Sequence, residues 1–211
     1  MVLFVGLLIA AYLLGSIPTA VWIGRLFYST DVRDFGSKSS GATNAIRVLG
    51  IKAGIPVLVI DILKGLAAVL MAGIMTKQAA FGVYEDYQVI FGFAAVLGHI
   101  FPIFAGFNGG KGVATLLGVL IAVHPMAALV TMGFFFLMFF ITGFVSLSSI
   151  TAATMYPIVM IFLFKVELIS VAIFSLLVMM IIPLTHQKNI DRLLKGEEKR
   201  LEIRKRRDRL K

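Results

Sequence analysis

The sequence predicts an all-α integral membrane protein with seven transmembrane helices, an external N-terminus and a cytoplasmic C-terminus. Of its 211 residues, 59% are hydrophobic and only 15% are charged, whereas a soluble domain has about 25% charged residues. The mean hydropathy is +0.97. Polar residues are concentrated in three stretches, which we call the first, second and third polar segments: residues 31–47, 106–112 and 186–211.

The apolar stretches between these segments supply the predicted spans. A spanning helix needs about 20 predominantly apolar residues, and stretches of that kind lie at residues 2–26, 54–75, 89–107 and 168–185. Residues 113–164 contain no Asp, Glu, Lys or Arg, and their length permits two long helices or three short ones. The His124-Pro125 and Thr142-Gly143 pairs are typical helix breaks, so this stretch favours three helices.

Charge gives an independent test of that choice. Seven spans put residues 26–53, 106–112, 143–149 and the C-terminal tail on one face, so this face holds all three polar segments. Counting Arg25 at the end of the first span, this face carries 17 of the 20 Lys and Arg residues, while Lys77 and Lys165 lie on the other. Six spans would move the third polar segment, with its 11 basic residues, to the opposite face. Because Lys and Arg accumulate in cytoplasmic loops, we expect seven spans with every polar segment at the cytoplasmic face.

Composition also excludes several kinds of chemistry. The chain has no cysteine, which excludes disulfides, thiolate chemistry and Cys-ligated metals. His99, His124 and His186 do not have the spacing of a metal site. The net charge of +9 comes mainly from the C-terminal tail and not from a basic face. We therefore expect no metal, no cofactor and no nucleic-acid partner.

The first polar segment has the composition of an anion-binding loop. Glycines permit positive φ angles, which turn successive N–H groups towards one point, and an Arg can hold a phosphate through two hydrogen bonds. The alternative is a flexible polar loop, but its end leads directly into the apolar Val48 and Leu49. The candidate residues are Ser37, Ser40, Gly41, Thr43, Asn44 and Arg47.

The second polar segment precedes a predicted span, where the helix dipole favours an anion. It carries Asn108, Gly109, Gly110, Lys111 and Gly112. It is not a P-loop, because position 105 is Ala where the first Gly belongs and because a Gly follows the Lys in place of Ser or Thr. The alternative is a tight interhelical turn with an interfacial Lys, but such a turn does not need three glycines.

The third polar segment begins directly after the last predicted span. His186 is a candidate for proton transfer at the interface or an amphipathic anchor, and Asn189 lies within one helical turn of it. We expect one membrane domain over residues 1–198, with Glu198 at its end. We expect residues 199–211 to form a basic cytoplasmic tail, a solvated or lipid-contacting helix without chemistry.

Two further sites in the spans have alternative interpretations. Asp61 and Lys64 lie three residues apart on one face of a span, and we expect them to neutralise each other in a structural role. Ser149 follows a helix break at the cytoplasmic face and either lines the site or caps the next helix.

Several spaced motifs resemble one family over essentially the whole chain: the bacterial membrane-integral acyl-phosphate:glycerol-3-phosphate acyltransferases. The motifs are GSIPTA at residues 15–20, GSKSSGATN at 36–44 with Arg47, DILKG at 61–65, GHIFP at 98–102, FNGGKG at 107–112 and HQKNIDRLLKGEE at 186–198. The family's tail is often shorter than the one in this chain. The combination and order of these motifs are more specific than any single motif.

The resemblance implies transfer of a fatty acyl group from acyl phosphate to the 1-hydroxyl of sn-glycerol 3-phosphate. The products are lysophosphatidic acid and phosphate, in the first step of bacterial phospholipid synthesis. The resemblance also implies a multi-pass protein of the bacterial cytoplasmic (inner) membrane, without a cofactor and in contact with membrane lipid. We expect a monomer, supplied by a soluble acyl-phosphate synthase.

Within that reaction we assign the glycerol 3-phosphate group to Ser37, Arg47 and Lys111. Acyl phosphate and its developing oxyanion are assigned to Thr43, Asn44, Asn189 and the amides of residues 108–112. Ser40, Gly41, Ser149 and Glu198 are further candidates for substrate contact. His186 is either the general base or the group that orients the hydroxyl, in which case a substrate phosphate takes the proton.

Two other classes of protein fit the sequence less well. A transporter or channel for a phosphorylated anion would also use basic glycine-rich loops, but the predicted outer loops carry no matching anion site. A membrane scaffold without catalysis would leave Lys111 and His186 unexplained.

Overall fold

The structure is a computed structural model that describes residues 1–75 and 84–201, and this part of the chain is helical without a β-strand. Lys77 and the tail beyond Leu201 therefore lie outside the described residues. The helices are α1 (Val2–Gly15), α2 (Thr19–Tyr28), α3 (Ala42–Leu49), α4 (Ile51–Leu70), α5 (Ala72–Met75), α6 (Tyr84–Ile100), α7 (Val113–Val123), α8 (Pro125–Thr142), α9 (Val145–Ile158), α10 (Ile169–Thr185) and α11 (Gln187–Leu194).

Four helical segments are long and apolar enough to cross a membrane: Ile51–Met75, Tyr84–Ala105, Pro125–Thr142 and Val145–Leu163. Two further helix pairs qualify as broken spans, with a bend of 44° between α1 and α2 and of 62° between α10 and α11. Helix α7 has only 11 residues. By length and composition the described residues thus hold four to six spans, and the count of seven and the orientation of the termini stay predictions.

The predicted breaks in residues 113–164 are confirmed. Helices α7 and α8 meet at His124, whose Nδ1 accepts a hydrogen bond from the Ala127 amide at 3.1 Å and so caps α8. Helix α8 ends at Gly143, which has a φ of +73° and whose amide bonds to the Phe139 carbonyl. This left-handed conformation is the usual way for a glycine to end a helix.

The first predicted span, residues 2–26, is bent, with a break between α1 and α2. Helix α1 ends at Gly15, and Pro18 precedes α2, because a proline supplies no N–H for a continuous helix. The break leaves carbonyls without helical partners, which is costly inside a membrane. One of them, the Ile17 carbonyl, accepts a hydrogen bond from the Lys64 ammonium at 3.0 Å.

Small residues allow the helices around the site to pack closely. Gly65 on α4 lies against the Thr115 backbone of α7, and Gly118 on α7 lies against the Ile62 backbone of α4, with no room for a side chain in either case. Such contacts between small residues are the usual way for membrane helices to associate. They fix the start of α7, which carries the second polar segment, against α4.

Contacts between the three polar segments confirm that they meet at one end of the helix bundle. Arg33 donates to the Ala105 carbonyl at 2.9 Å, which joins the first segment to the turn before the second. The Thr185 hydroxyl donates to the Lys111 carbonyl at 3.2 Å, which joins the second segment to the end of α10. Arg47 donates to the Lys199 carbonyl at 2.9 Å and joins the first to the third.

Candidate active site

A cavity of about 480 Å³ opens where the three polar segments meet. Its polar end includes ten of the predicted site residues: Ser37, Gly41, Thr43, Asn44, Arg47, Lys111, Ser149, His186, Asn189 and Glu198. Its body is apolar and lies between α4, α7, α8, α9 and α10, with Leu58, Leu120, Phe135 and Phe139 in its wall. The cavity therefore suits a ligand with a charged head and a long apolar chain.

Asn44 folds the first polar segment and leaves no donor for a ligand. Its side-chain oxygen accepts from the Ser37 amide at 2.9 Å, and its side-chain nitrogen donates to the carbonyls of Val32 at 2.7 Å and Ser39 at 2.8 Å. A third acceptor, the Phe35 carbonyl, lies at 3.2 Å. An amide nitrogen has two hydrogens, and both are used within the loop. The Asn44 side chain therefore has a structural role, in which it positions Ser37 and Thr43, instead of the expected contact with acyl phosphate.

The glycine residues of the second polar segment do not form the cavity wall. The Gly110 amide donates to the His99 carbonyl at 3.1 Å and the Asn108 side chain donates to the Gly106 carbonyl at 3.2 Å. Among the second segment, the wall includes Lys111 alone, followed by Val113 and Ala114 of the first turn of α7. Because the Gly110 amide already donates to the His99 carbonyl, the amides that we expect to face an anion are those at the start of α7.

Ser40 also lies outside the cavity wall, although its neighbours Ser39 and Gly41 belong to it. It is buried, with 5% of its surface exposed. The residues expected from sequence that the structure does not bring to the cavity are therefore Ser40, Asn108, Gly109, Gly110 and Gly112.

His186 lies at the bend between α10 and α11 and is almost fully buried. Its Nδ1 lies 2.7 Å from the Ile182 carbonyl. A carbonyl can only accept, so Nδ1 carries the hydrogen and Nε2 is left with a free lone pair. Burial, together with the nearby charge of Lys111, lowers the pKa of His186 to about 4, against a smaller raising effect of the Ile182 hydrogen bond. The imidazole is therefore neutral at pH 7.

Glu198 binds three donors from separate parts of the chain. Its carboxylate accepts from Ser146 at 2.7 Å, from Asn189 at 2.6 Å and from Arg192 at 2.7 Å. Burial acts to raise the pKa of Glu198, but these hydrogen bonds outweigh it and lower the pKa. Because an ionised carboxylate has no hydrogen to donate, Glu198 is suited to hold the donors of the site in place and not to bind phosphate itself.

Asn189 has a fixed orientation because both ends of its amide are bonded. Its nitrogen donates to Glu198, and its oxygen accepts from the Lys111 ammonium. This connection places Lys111 at the polar end of the cavity. Burial lowers the pKa of Lys111 to about 8; Glu198 opposes this effect, and the charges of Arg192 and Arg47 add to it.

Positive charge exceeds negative charge at this end of the cavity. Burial also lowers the pKa of Arg47, with the charge of Arg192 acting in the same direction and that of Glu198 against it. Arg47, Lys111 and Arg192 are thus grouped around one carboxylate. Such an arrangement attracts an anion of one or two charges, because buried charges are costly unless they are compensated.

Residues 199–201, directly after Glu198, contact the site, although the sequence analysis expected no such contacts from the tail. Lys199 and Arg200 are not helical. The Lys199 carbonyl accepts from Arg47, the Leu201 amide donates to the Gly143 carbonyl at 3.1 Å, and Leu201 belongs to the cavity wall. The Arg200 guanidinium lies 5.6 Å from the centre of the Phe144 ring. These contacts extend beyond the expected domain boundary at residue 198, and the tail without chemistry stays a prediction.

Fold and site together define a helical membrane protein with a cavity for an anionic amphiphile. Its sequence matches the family model described as "Glycerol-3-phosphate acyltransferase" over residues 5–196. The chain belongs to the glycerol-3-phosphate acyltransferase family.

Individual relatives agree with this assignment. The chain is 42% identical to a glycerol-3-phosphate acyltransferase of Fusobacterium nucleatum, over 93% of this chain and 97% of the relative. It is 45% identical to one of Enterococcus faecalis, over 92% and 90%. The fold is similar to the crystal structure of PlsY (YgiH), an integral membrane glycerol 3-phosphate acyltransferase, in its glycerol 3-phosphate form, with a TM-score of 0.84, 38% identity and 94% and 96% of the two chains covered. A lysophosphatidic acid form of PlsY has a TM-score of 0.81.

The contact of residues 199–201 with Arg47 and Gly143 can be tested by truncation. We expect a chain that ends at Leu201 to keep wild-type activity, because it keeps these contacts. A chain that ends at Glu198 loses the Lys199 carbonyl that accepts from Arg47, and a hydrogen bond to a charged group is worth about 1.5–3 kcal/mol. Its kcat/KM is expected to fall at least about tenfold. Equal activity of the two truncated proteins in an acyl-transfer assay would contradict a role of residues 199–201.

Proposed function

We propose that this protein transfers a fatty acyl group from acyl phosphate to the 1-hydroxyl of sn-glycerol 3-phosphate, giving lysophosphatidic acid and phosphate. The observation that carries the proposal is the cavity, in which an apolar body suited to an acyl chain meets the partly buried cations Arg47 and Lys111. The ligand states of PlsY, one with glycerol 3-phosphate and one with lysophosphatidic acid, support the same acceptor and product.

The glycerol 3-phosphate group binds between Ser37, Arg47 and Lys111 in this proposal. All three belong to the cavity wall, and a phosphate there places negative charge beside Arg47 and Lys111. Arg47 offers a planar set of donors, and Lys111 adds a point charge. Thr43, at the start of α3, supplies a further hydroxyl from the same wall.

The acyl phosphate lies with its chain in the apolar body and its reactive end below Lys111. The start of α7 opens onto the cavity at Val113 and Ala114, and the amides of a helix N-terminus stabilise negative charge. The same amides and Asn189 are placed to stabilise the oxyanion that forms as the acceptor hydroxyl attacks. Ser149 is one of several residues of α9 in the cavity wall and a further candidate for substrate contact.

The reaction needs no covalent enzyme intermediate, because acyl phosphate is already activated. The hydroxyl oxygen forms a bond to the carbonyl carbon, the tetrahedral intermediate collapses, and the bond to phosphate breaks. Positioning the two substrates supplies much of the rate enhancement. The hydroxyl proton has two possible acceptors: His186 and a substrate phosphate.

The substrate phosphate is the better base of the two. A pKa of about 4 makes His186 a weak base at pH 7, whereas the second pKa of a phosphate monoester is about 6. We therefore assign the proton to the phosphate and assign to Nε2 of His186 the task of orienting the hydroxyl. The Ile182 carbonyl holds the ring in the required tautomer.

The proposal includes the setting of the reaction. The protein acts as a monomer in the bacterial cytoplasmic membrane, with its seven spans placing the polar segments on the cytoplasmic side. Acyl phosphate reaches it from a soluble acyl-phosphate synthase, and no cofactor takes part.

The function is tested by measuring phosphate and lysophosphatidic acid release by the purified protein from palmitoyl phosphate, with and without glycerol 3-phosphate. We expect turnover only with both substrates. Lys111→Ala and Arg47→Ala are each expected to lower kcat/KM about 10- to 150-fold, the effect of one charge-assisted contact of about 1.5–3 kcal/mol. Lys188→Ala, at an exposed position of α11, is the matched control. Comparable turnover with palmitoyl-CoA would overturn the choice of donor.

The lowered pKa of Lys111 predicts a decrease in activity at alkaline pH. With a pKa of about 8, its ammonium is charged at pH 7 and loses its charge as the pH rises through 8. Because kcat/KM reports the ionisation of the free enzyme, kcat/KM should decrease above about pH 8. Lys111→Arg keeps its charge throughout this range, so the decrease should disappear. A decrease at the same pH in Lys111→Arg would exclude Lys111 as its cause.

His186 is tested by the acid side of the same profile. If the substrate phosphate is the base, activity falls below about pH 6, and His186→Gln lowers the rate but keeps this decrease at the same pH. If His186 is the base, the reaction requires its neutral imidazole, and the loss of activity at low pH follows the protonation of His186 itself. A profile of His186→Gln that is flat from pH 5 to 8 would assign proton transfer to the histidine.

A further inference from the structure

Beneath the second polar segment lies a cluster of polar side chains to which the proposed reaction assigns no role, although two of them, Asp61 and His99, belong to the cavity wall. It consists of Thr19 on α2, Asp61 and Lys64 on α4, His99 on α6 and Thr115 on α7, all of them buried. Buried polar groups in a membrane protein are costly and usually have a functional reason. Their contacts lead from the middle of the bundle to the loop that carries Lys111.

Asp61 forms the base of this cluster. Its Oδ1 accepts hydrogen bonds from the Thr19 hydroxyl and from the Lys64 ammonium, each at 2.9 Å. Lys64 also donates to the Ile17 carbonyl at the break between α1 and α2. Asp61 and Lys64 are paired, as expected from the sequence, and Thr19 of α2 and Lys64 of α4 hold the carboxylate in a fixed position.

His99 connects this base to α7. Its Nδ1 lies 3.0 Å from the Thr115 hydroxyl and 3.8 Å from Asp61 Oδ1. The Thr115 hydroxyl is within hydrogen-bond distance and fixes the rotation of the imidazole ring, whereas Asp61 Oδ1 is a near neighbour beyond that distance. A buried ring held in this way is a rigid surface for whatever packs above it.

The second polar segment packs directly on His99. The His99 carbonyl accepts from the Gly110 amide at 3.1 Å. The ring atom Nε2 occupies the space that a Gly110 side chain would need, and the His99 and Ile100 carbonyls do the same at Gly109. These glycines are therefore required by the approach of the loop to His99, and Lys111 is the next residue along the chain.

We propose that His99, held by Thr115, is a positioning residue that sets where Lys111 enters the cavity. The ring and carbonyl of His99 fix Gly110, and Gly110 fixes the backbone from which the ammonium reaches Asn189. The inference rests on the proposed function, in which Lys111 binds a substrate phosphate. It also explains why a GHIFP motif accompanies FNGGKG in this chain.

Thr115→Val tests the proposal, because it removes the hydroxyl that fixes the ring with little change in volume. We expect kcat/KM for glycerol 3-phosphate to fall about tenfold, mainly through a higher KM, with a similar thermal unfolding midpoint. Thr115→Ser restores the hydroxyl and should recover most of the activity. Thr154→Val is the matched control: its hydroxyl bonds to the Ile150 carbonyl of its own helix and lies outside the cavity wall.

A double-mutant cycle with Lys111→Ala separates positioning from a general structural effect. If Thr115 acts through Lys111, Thr115→Val has no further effect on kcat/KM once Lys111 is Ala, so the two losses are not additive. Fully additive losses would overturn the proposal, as would wild-type kinetics in Thr115→Val. A wild-type protein without acyl transfer to glycerol 3-phosphate contradicts the proposed function itself, whereas an active wild type with additive losses contradicts only the role of His99.

Discussion

The polar end of the cavity depends on the carboxylate of Glu198. It joins Ser146 at the start of α9 to Asn189 and Arg192 on α11, and through Asn189 it orients the ammonium of Lys111. Loss of this acceptor would leave several buried donors unpaired, at a cost of about 1–3 kcal/mol for each. One acidic residue, unsuited to bind phosphate, therefore determines how the groups that suit phosphate are arranged. The neighbouring residues 199–201 extend this arrangement to Arg47 and Gly143.

The membrane imposes a second constraint, because each break in a helix must be given a partner inside the bundle. The break after α1 exposes the Ile17 carbonyl, and Lys64 satisfies it. The ammonium of Lys64 in turn needs Asp61, which accepts its charge. Pro18 and the DILKG motif thus depend on each other: the proline breaks the helix, and Lys64 of the motif bonds to the carbonyl that the break exposes. The same cluster reaches His99 and the loop above it, so a requirement of the fold also supports the site.

Sequence reasoning predicted the features that depend on hydrophobicity, charge and helix breaks. These include the helical membrane fold, the breaks at His124 and Gly143 and the meeting of the polar segments. It did not predict Ser146, because one serine among several in residues 146–149 has no pattern of its own until Glu198 is seen to accept from it. Nor could it distinguish an amide that faces a ligand from one that bonds to a neighbouring carbonyl, as at Gly110. Asn44 shows the same limit, because its donors are used within its own loop.

The charges at the polar end explain why such a site is tuned to an anion. Arg47 and Lys111 are buried near Arg192, with Glu198 as the nearby carboxylate. Burial and mutual repulsion lower the pKa values of Arg47 and Lys111, which means that their charged forms are destabilised in the folded protein. A bound phosphate removes that destabilisation by supplying the missing negative charge, so part of the cost of keeping these charges buried returns as binding free energy. The apolar body of the cavity adds no charge selectivity. Selection of an anionic acceptor therefore arises from the excess of cations that the fold, through Glu198 and His99, holds in place.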